Sequence, residues 1–282
     1  FKGSYGKTNF TLNGYLENII NYSLKENEKL RGNFDLNTSY LLVDEFMAFA
    51  GSHSSSSSSS TATGVIIVPR NFDLDFKADI KQAEYNGLAV KNFKGQLIID
   101  SGKIKLRQTG FSIIDAPVSM DATYSSLSPV KGVFDFHLKA DSLDVKKAYD
   151  EIKLFRDMVP AAGKAKGVVG LDYSVQGRLN EEMMPVYPSL KGGGVLSVKK
   201  VKLKGFRLMN AVSKATDKNE IRDPDLSKVN IKSKIANNII TIEKIKMKIA
   251  GFRPRFEGQV SFDRKLNLKG RIGPVLDRKS VV

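Results

Sequence analysis

The sequence predicts a mainly β protein: an elongated antiparallel β-meander curled into a groove or flattened into a sandwich, with two short helices. Three observations predict this class. Apolar and polar residues alternate with a period of two over most of the chain, which indicates roughly fourteen strands that each have one wet face. Only two stretches carry helical spacing. Consecutive strands recur without a helix in each repeat, which favours a meander over a doubly wound fold.

Residues 1–50 are predicted as an N-terminal block of strands, carried by NFTLNGYL and GNFDLNTSYLLVDEF. Residues 51–64 are predicted as a flexible linker that leads to a strand at GVIIVP, because this serine-rich, low-complexity run cannot pack into a core. His53 lies in the run, which makes it a poor candidate for a metal ligand.

Residues 65–194 are predicted as a first β repeat. Its strands include FDLDFKADI (72–80), FDFHLKA (134–140) and VGLDYSVQG (169–177), in which the apolar residues fall on one face and the charged residues on the other. A helix is predicted over 143–158, with Asp141 or Ser142 as its N-cap and Pro160 beyond its end. The glycines of KGGGVLS (191–197) are interpreted as a turn, because no helix follows them to bind a phosphate.

Residues 195–282 are predicted as a basic β repeat with a short helix over 206–216. Its sequence matches the first repeat: SGKIKL at 101–106 aligns with NNIITI at 237–242, an offset of 136 residues. After an insertion of two residues, Val118 is predicted to match Phe256 and Tyr124 to match Phe262. The stretch EKIKMKIAG (243–251) sets lysine against apolar residues in strict alternation, which predicts a strand that is oily on one side and cationic on the other.

The net charge of +15 is unevenly distributed. Residues 195–282 hold 22 lysines and arginines against 8 acidic residues, whereas residues 1–194 hold 23 against 22. This asymmetry predicts that the C-terminal third meets an anionic surface. The alternative is that these lysines form the solvated face of ordinary strands.

No pattern of catalytic residues is apparent. The two histidines, His53 and His137, have no companion cluster of acidic residues, and there is no cysteine for a thiolate site. We therefore predict that the protein is not an enzyme, with no cofactor and no metal site.

The separation of aromatic from cationic residues distinguishes two kinds of ligand. Single-strand nucleic-acid binders place aromatic rings and cations on the same surface, whereas here the phenylalanines lie opposite the charges, so we expect no nucleic-acid partner. An apolar face that few helices could cover must close as a sandwich, close as a barrel, or form a trough that holds something apolar such as a lipid chain. Alternation alone leaves these possibilities open.

Three blocks in order resemble the C-terminal region of the AsmA family, of the type found in Bacteroidetes-like bacteria. They are NGLAVKNFKGQLIIDSGKIKLRQTGFSIIDAPVSMDATYSS, FDFHLKADSLDVKKAYD and GGGVLSVKKVKLKGFRLMNAVSKAT. The opening GNFDLNTSYLLVDEFM resembles the block that precedes this region. The family is related to TamB-like proteins and to bridge-like lipid transfer proteins.

The resemblance implies a periplasmic location, anchored to the inner membrane through an N-terminal segment. The chain begins at Phe1 without an initiator methionine, so we expect it to be a fragment with that anchor upstream. It also implies phospholipid transport along a hydrophobic β-groove and a role in outer-membrane biogenesis. The alternative is a non-enzymatic scaffold that docks outer-membrane assembly partners and holds no lipid.

Two sets of residues are predicted to carry this function. The residues predicted to contact a phospholipid or another acyl lipid are Phe72, Leu74, Phe76, Ile80, Phe134, Phe136, Leu138, Leu171, Tyr173, Ile245, Met247, Ile249, Phe256 and Phe262. The residues predicted to attract headgroups or an anionic membrane surface are Lys199, Lys200, Lys202, Lys204, Lys244, Lys246 and Lys248.

Overall fold

The computed structural model describes residues 1–25, 28–45, 65–85, 87–152, 155–156, 160–204, 225–247, 253–263 and 265–271, with isolated positions between 210 and 223. The protein is mainly β, as predicted. Fourteen strands are hydrogen-bonded in chain order within one sheet. They are β1 Lys2–Tyr5, β2 Thr8–Leu16, β3 Leu30–Leu42, β4 Phe72–Tyr85, β5 Leu88–Asp100, β6 Lys103–Ile113, β7 Ala116–Ser128, β8 Lys131–Asp144, β9 Ala165–Leu179, β10 Lys191–Leu203, β11 Asp225–Ala236, β12 Ile239–Lys246, β13 Arg255–Ser261 and β14 Leu266–Arg271.

The chain divides into two compact units, which are described separately below. Unit 1 comprises Phe1–Lys139 and Ser174–Lys191, and unit 2 comprises Ala140–Tyr173 and Gly192–Val282. Strands β8 and β9 contribute residues to both units, as does β10 through its first residue, Lys191.

One strand pair departs from the predicted antiparallel order. Strands β3 and β4 are parallel, with Phe34 opposite Phe76 and Leu36 opposite Ala78. The other pairs for which the structure gives a register are antiparallel. A parallel pair needs a connection that returns the chain to the same end of the sheet. The residues between β3 and β4 make this return, and they include the predicted linker 51–64, which lies outside the described residues.

Four strands of unit 1 recur in unit 2 in the same register. Leu97 pairs with Leu106 in β5 and β6, and the residues 136 positions later, Ser233 and Ile242, pair in β11 and β12. The same offset relates the next hairpin, where Thr109 opposite Met120 corresponds to Ile245 opposite Phe256. The predicted two-residue insertion is therefore wrong. A slip of two residues keeps every side chain on its own face, so alternation does not reveal it.

The irregularities of the strands recur as well. Asn92 in β5 and Lys228 in β11 both have positive φ, at 54° and 55°. At each of these positions one residue pair is missing from the ladder with the preceding strand. Beyond it the apolar face continues on residues of the other parity, so that Ala83 packs in the same cluster as Ile80. The irregularity, a positive φ in one strand and a missing residue pair with the preceding strand, is thus a feature of the repeat.

The helices are short. Helix α1 spans Ile19–Leu24 and α2 spans Val145–Glu151, and 3₁₀ turns occupy Pro160–Lys164 and Tyr187–Ser189. Helix α2 begins later than predicted, because β8 runs through Asp141 and Ser142. Its N-cap is Asp144, whose carboxylate accepts a hydrogen bond from the backbone N–H of Lys147 at 2.8 Å. Residues 153–154 and 157–158 of the predicted helix, and most of the helix predicted over 206–216, lie outside the described residues.

The glycines of KGGGVLS lie in a strand, which corrects the predicted turn. Gly192, Gly193 and Gly194 all belong to β10 and pair with β11. Within the described ranges, no helix has the length and apolar content needed to cross a membrane.

Candidate apolar and basic surfaces

The apolar face of unit 1 is built from rows of side chains that cross several strands. One row runs through Phe34, Phe76, Leu97 and Leu106, which lie opposite one another on β3 to β6. The rings of Phe34 and Phe76 stack with centroids 5.4 Å apart. Cross-strand pairs of aromatic and branched residues are the main stabilising contacts on one face of a sheet.

The middle of this face retains surface that solvent can reach. All four side chains of the row from Phe34 to Leu106 are only half-buried. In a closed sandwich, the inner face of each sheet is buried by the side chains of the other. The described residues of the chain form one sheet and no second one. Unit 1 therefore presents an apolar surface that its own described residues do not seal.

One end of the face is closed by the chain itself. Residues 65–71, which we call the entry segment, lead into β4 and end beside β3, where the Leu30 N–H donates to the Asn71 carbonyl. Val65 is only 2% exposed, and its N–H donates to the carbonyl of Pro129 at 2.9 Å. The Tyr124 hydroxyl donates to the carbonyl of Ile66 at 2.8 Å, and burial raises the pKa of Tyr124 to about 12. The entry segment thus occupies the strand ends of the apolar face.

The apolar face of unit 2 is more closely packed. Ile245 lies opposite Phe256, and both side chains are buried. Tyr173 lies against Gly194, and a Cβ at that glycine would sit 2.6 Å from the tyrosine ring. The Tyr173 and Ser233 hydroxyls are hydrogen-bonded at 3.0 Å, and burial is the main cause of the raised pKa of Tyr173. The glycine therefore makes room for the aromatic ring within the sheet.

The structure places the predicted lipid-contact residues in two groups. Leu74, Ile80, Ile245 and Phe256 are buried. The half-buried residues are Phe72, Phe76, Phe134, Phe136, Leu138, Leu171, Tyr173, Met247 and Phe262. Ile249 lies outside the described residues. Sequence reasoning did not select Phe34 or Leu97, although both occupy apolar positions of strands with clear alternation.

The predicted basic residues of unit 2 lie on the polar face of its strands, opposite the apolar face. Lys199, Lys200, Lys202, Lys204, Lys244 and Lys246 are all exposed. Lys202 forms an ion pair with Asp225 at 3.7 Å, and Lys248 lies outside the described residues. Two further cations extend the group, since Lys246 is opposite Arg255 and Arg255 is opposite Arg271 on β12, β13 and β14. Like charges in adjacent positions repel, so this row of three favours an anionic partner.

The polar face of unit 1 differs, because its charges are compensated within the unit. Asp100 lies 3.1 Å from both Lys29 and Lys105. The Ser101 hydroxyl, followed by these two lysines, holds the pKa of Asp100 below its ordinary value. A hydrogen bond from Lys94 is the main cause that lowers the pKa of Asp79. These cations of unit 1 are thus offset by neighbouring carboxylates, unlike the row from Lys246 to Arg271 in unit 2.

The described residues contain no group of three or more His, Cys, Asp or Glu side chains able to hold a metal ion. His137 is exposed on β8, at the polar-face position that alternation predicts. His53 lies outside the described residues.

Neither protein-family models, nor curated proteins, nor solved structures give any match to this chain. Function is therefore inferred from the apolar and basic surfaces.

Proposed function

We propose that this chain is a periplasmic, non-enzymatic segment of an AsmA-like protein that shields phospholipid acyl chains on an apolar β-surface. Upstream residues would anchor it in the inner membrane, and the process it serves is lipid transport in outer-membrane biogenesis. The observation that carries this proposal is the half-buried row of Phe34, Phe76, Leu97 and Leu106 on unit 1, which no second sheet covers in the described part of the chain.

An acyl chain is the occupant that the chemistry of this row favours. The row offers aromatic and aliphatic carbon and no charged group, so it contributes little to a polar ligand. Removing a chain of about sixteen carbons from water is favourable by roughly 13 kcal/mol, at about 0.8 kcal/mol per methylene. This gross gain is large enough for a lipid tail to leave water for an exposed protein face.

The basic surface of unit 2 supports a phospholipid partner independently of the apolar row of unit 1. Lys246, Arg255 and Arg271 form a row in which no carboxylate is interposed. Phosphate headgroups and anionic leaflets attract such cations. Each unit, taken by itself, thus presents a surface that suits one part of a phospholipid.

Native mass spectrometry tests the proposal. The parent protein should carry phospholipid through gentle purification. Leu97→Asp places a charge in the middle of the apolar row and should abolish the adduct. The matched control is Thr123→Asp, which introduces the same charge on β7 opposite Lys105, on the polar face, and should retain the lipid.

Two results would contradict lipid shielding. Adducts that persist in Leu97→Asp would show that the lipid lies elsewhere. A lipid-free parent would favour the second candidate, a scaffold for outer-membrane assembly partners. The entry segment favours that candidate in one respect, because it fills part of the apolar face with the chain's own Val65 and Val68.

A further inference from the structure

Unit 1 carries a second apolar surface, at one end of its strands. Helix α1 follows β2 there, and the turn after β7 lies at the same end, as does the entry segment before β4. The most exposed apolar side chains of these segments are Ile20 at 74%, Leu24 at 79%, Leu127 at 59% and Val130 at 58%. We call this end of unit 1 the rim. It comprises α1, the entry segment, residues 127–131, and the β5–β6 turn with Lys103 beside it.

Helix α1 is held with its apolar side outward. The Asn18 side chain accepts from the N–H of Arg31 at 2.9 Å and donates to the carbonyl of Lys29, which fixes the start of the helix on β3. The Tyr22 hydroxyl accepts from the Asn71 amide at 2.8 Å, which fixes it on the entry segment. Ile20 and Leu24 are four residues apart, so they share one helix face. That face is directed to solvent, the reverse of the usual packing of an amphipathic helix.

The charges of the rim identify what kind of surface would cover it. Lys25, Arg70, Lys103 and Lys131 are exposed, and within the described residues none of them forms an ion pair. Asp100 and Asp73 are already matched by Lys29 and Arg31, and the two acidic residues that flank α1, Glu17 and Glu28, leave the four cations in excess. Apolar side chains among unmatched cations are typical of protein surfaces that insert into anionic bilayers.

The spacing of the rim also favours a bilayer over a folded protein partner. From α1 to the turn after β7 the rim crosses four or five strand spacings, or about 20 Å. The exposed apolar side chains lie on separate segments along the rim and do not surround one pocket. A fluid interface accommodates such a line without a complementary shape.

We propose that the rim docks unit 1 on an anionic phospholipid bilayer, with Ile20 and Leu24 inserted at the headgroup level. This proposal rests on the proposed function, since it names the bilayer as the source or the destination of the lipid. The entry segment lies at the docked end, so the bilayer would meet the chain where residues 65–71 occupy the apolar face.

The absence of tryptophan from the sequence makes a direct test possible. Leu24→Trp places a single fluorophore on the rim, and Phe1→Trp places one at an equally exposed position that precedes β1, beside Leu12 of β2 and outside the rim. With vesicles of phosphatidylglycerol and phosphatidylethanolamine, emission from Leu24→Trp should shift to shorter wavelength and be quenched by brominated acyl chains. Phe1→Trp should show neither effect.

A second variant measures the contribution of the apolar side chains. Ile20→Ser combined with Leu24→Ser should weaken vesicle binding about tenfold or more, because two apolar side chains no longer leave water. Both positions are exposed, so circular dichroism should show an unchanged fold. Leu127→Trp provides an independent reporter on the other side of the rim.

Three outcomes would overturn the docking proposal: no shift in Leu24→Trp, an equal shift in Phe1→Trp, or a shift that grows with protein concentration in the absence of vesicles. The last would show that copies of the chain meet at the rim. Failure here is distinguishable from failure of lipid shielding. A parent protein that carries phospholipid while Leu24→Trp stays in water would contradict the rim alone.

Discussion

Two isoleucines on the same face of unit 1 provide a quantitative test of whether that face is uncovered. Ile80 on β4 is 6% exposed and packs with Ala78 and Ala83. Ile99 on β5 is half-buried, opposite Leu74. Truncation of either residue to alanine removes the same three carbons. The two losses of stability should therefore differ only through the surroundings of each side chain.

The expected losses follow from the burial of the two sites. Three carbons at about 0.8 kcal/mol each give a transfer loss of about 2.4 kcal/mol when the side chain is fully buried. Ile80→Ala adds a cavity cost of about 1–2 kcal/mol, because its neighbours relax only in part. Its total is about 3.5–4.5 kcal/mol. Ile99→Ala loses only part of the transfer term and leaves no closed cavity, so its total is about 1–2 kcal/mol.

Urea unfolding at 25 °C, followed by circular dichroism and by hydrogen exchange of amides in β4 and β5, measures both losses. Added phospholipid should stabilise the parent through its binding to the folded state, and Ile99→Ala less so. If Ile99→Ala costs as much as Ile80→Ala, the face is sealed in solution. The inference of an uncovered apolar surface is then wrong.

Three further predictions concern a glycine, a carboxylate and the basic row. Gly194→Ala should cost about 1–3 kcal/mol by urea unfolding, because its Cβ would meet the backbone carbonyl oxygen of Asp172 and the ring of Tyr173. Gly110→Ala, whose Cβ meets nothing within 4 Å, should be close to neutral; equal costs would contradict the packing role of Gly194. Asp100→Asn should lower stability by about 1 kcal/mol at pH 7, and the difference from the parent should shrink progressively as the pH falls below about 4. A carboxylate with a depressed folded-state pKa contributes fully above its unfolded-state pKa and loses that contribution as the pH falls towards its folded-state pKa; a difference that does not shrink below pH 4 would exclude this charge as the cause. Lys246→Gln combined with Arg255→Gln should weaken binding to anionic vesicles at low salt about tenfold or more, as measured by vesicle sedimentation, and should change binding to neutral vesicles little. An equal loss of binding to both vesicle types would remove the electrostatic explanation.

Much of the fold follows from the sequence, because alternation is a local property of each strand. The faces of Phe72, Leu74, Phe76 and Ile80 are as predicted. The number of strands and the 136-residue repeat are also confirmed by the pairing of β5 to β7 and β11 to β13. A period of two needs no knowledge of distant contacts.

Other features depend on contacts that the pattern does not encode. The parallel pairing of β3 and β4 is set by a long connection whose sequence carries no directional signal. The irregularities at Asn92 and Lys228 require positive φ at residues other than glycine, so the residue types at these positions do not predict them. At Gly194 a side chain would meet the Asp172 carbonyl oxygen and the Tyr173 ring, so the strand needs glycine there because of neighbours that are remote in sequence.

The candidate surfaces were also predicted only in part. Alternation assigns side chains to a face, but it does not report which part of the face the chain covers itself. Ile245 and Phe256 are buried, although they have the same pattern as half-buried Phe76. The entry segment was missed because GVIIVP has the composition of a strand, yet residues 65–69 belong to no strand.

The shared register of the two repeats bears on how such a chain could lengthen over evolutionary time. The difference between the repeats lies in the connection after the first strand: Ile80 corresponds to Val198, at a separation of 118, while the later strands correspond at 136. The 18 additional residues therefore lie between β10 and β11, where an insertion leaves the strand pairing unchanged. A duplicated gene segment of four strands would extend the ladder by about 19 Å and keep its oily side in phase. The length of the sheet can thus change by inherited duplication of the four-strand segment, and each added copy would keep the internal register of the existing repeats.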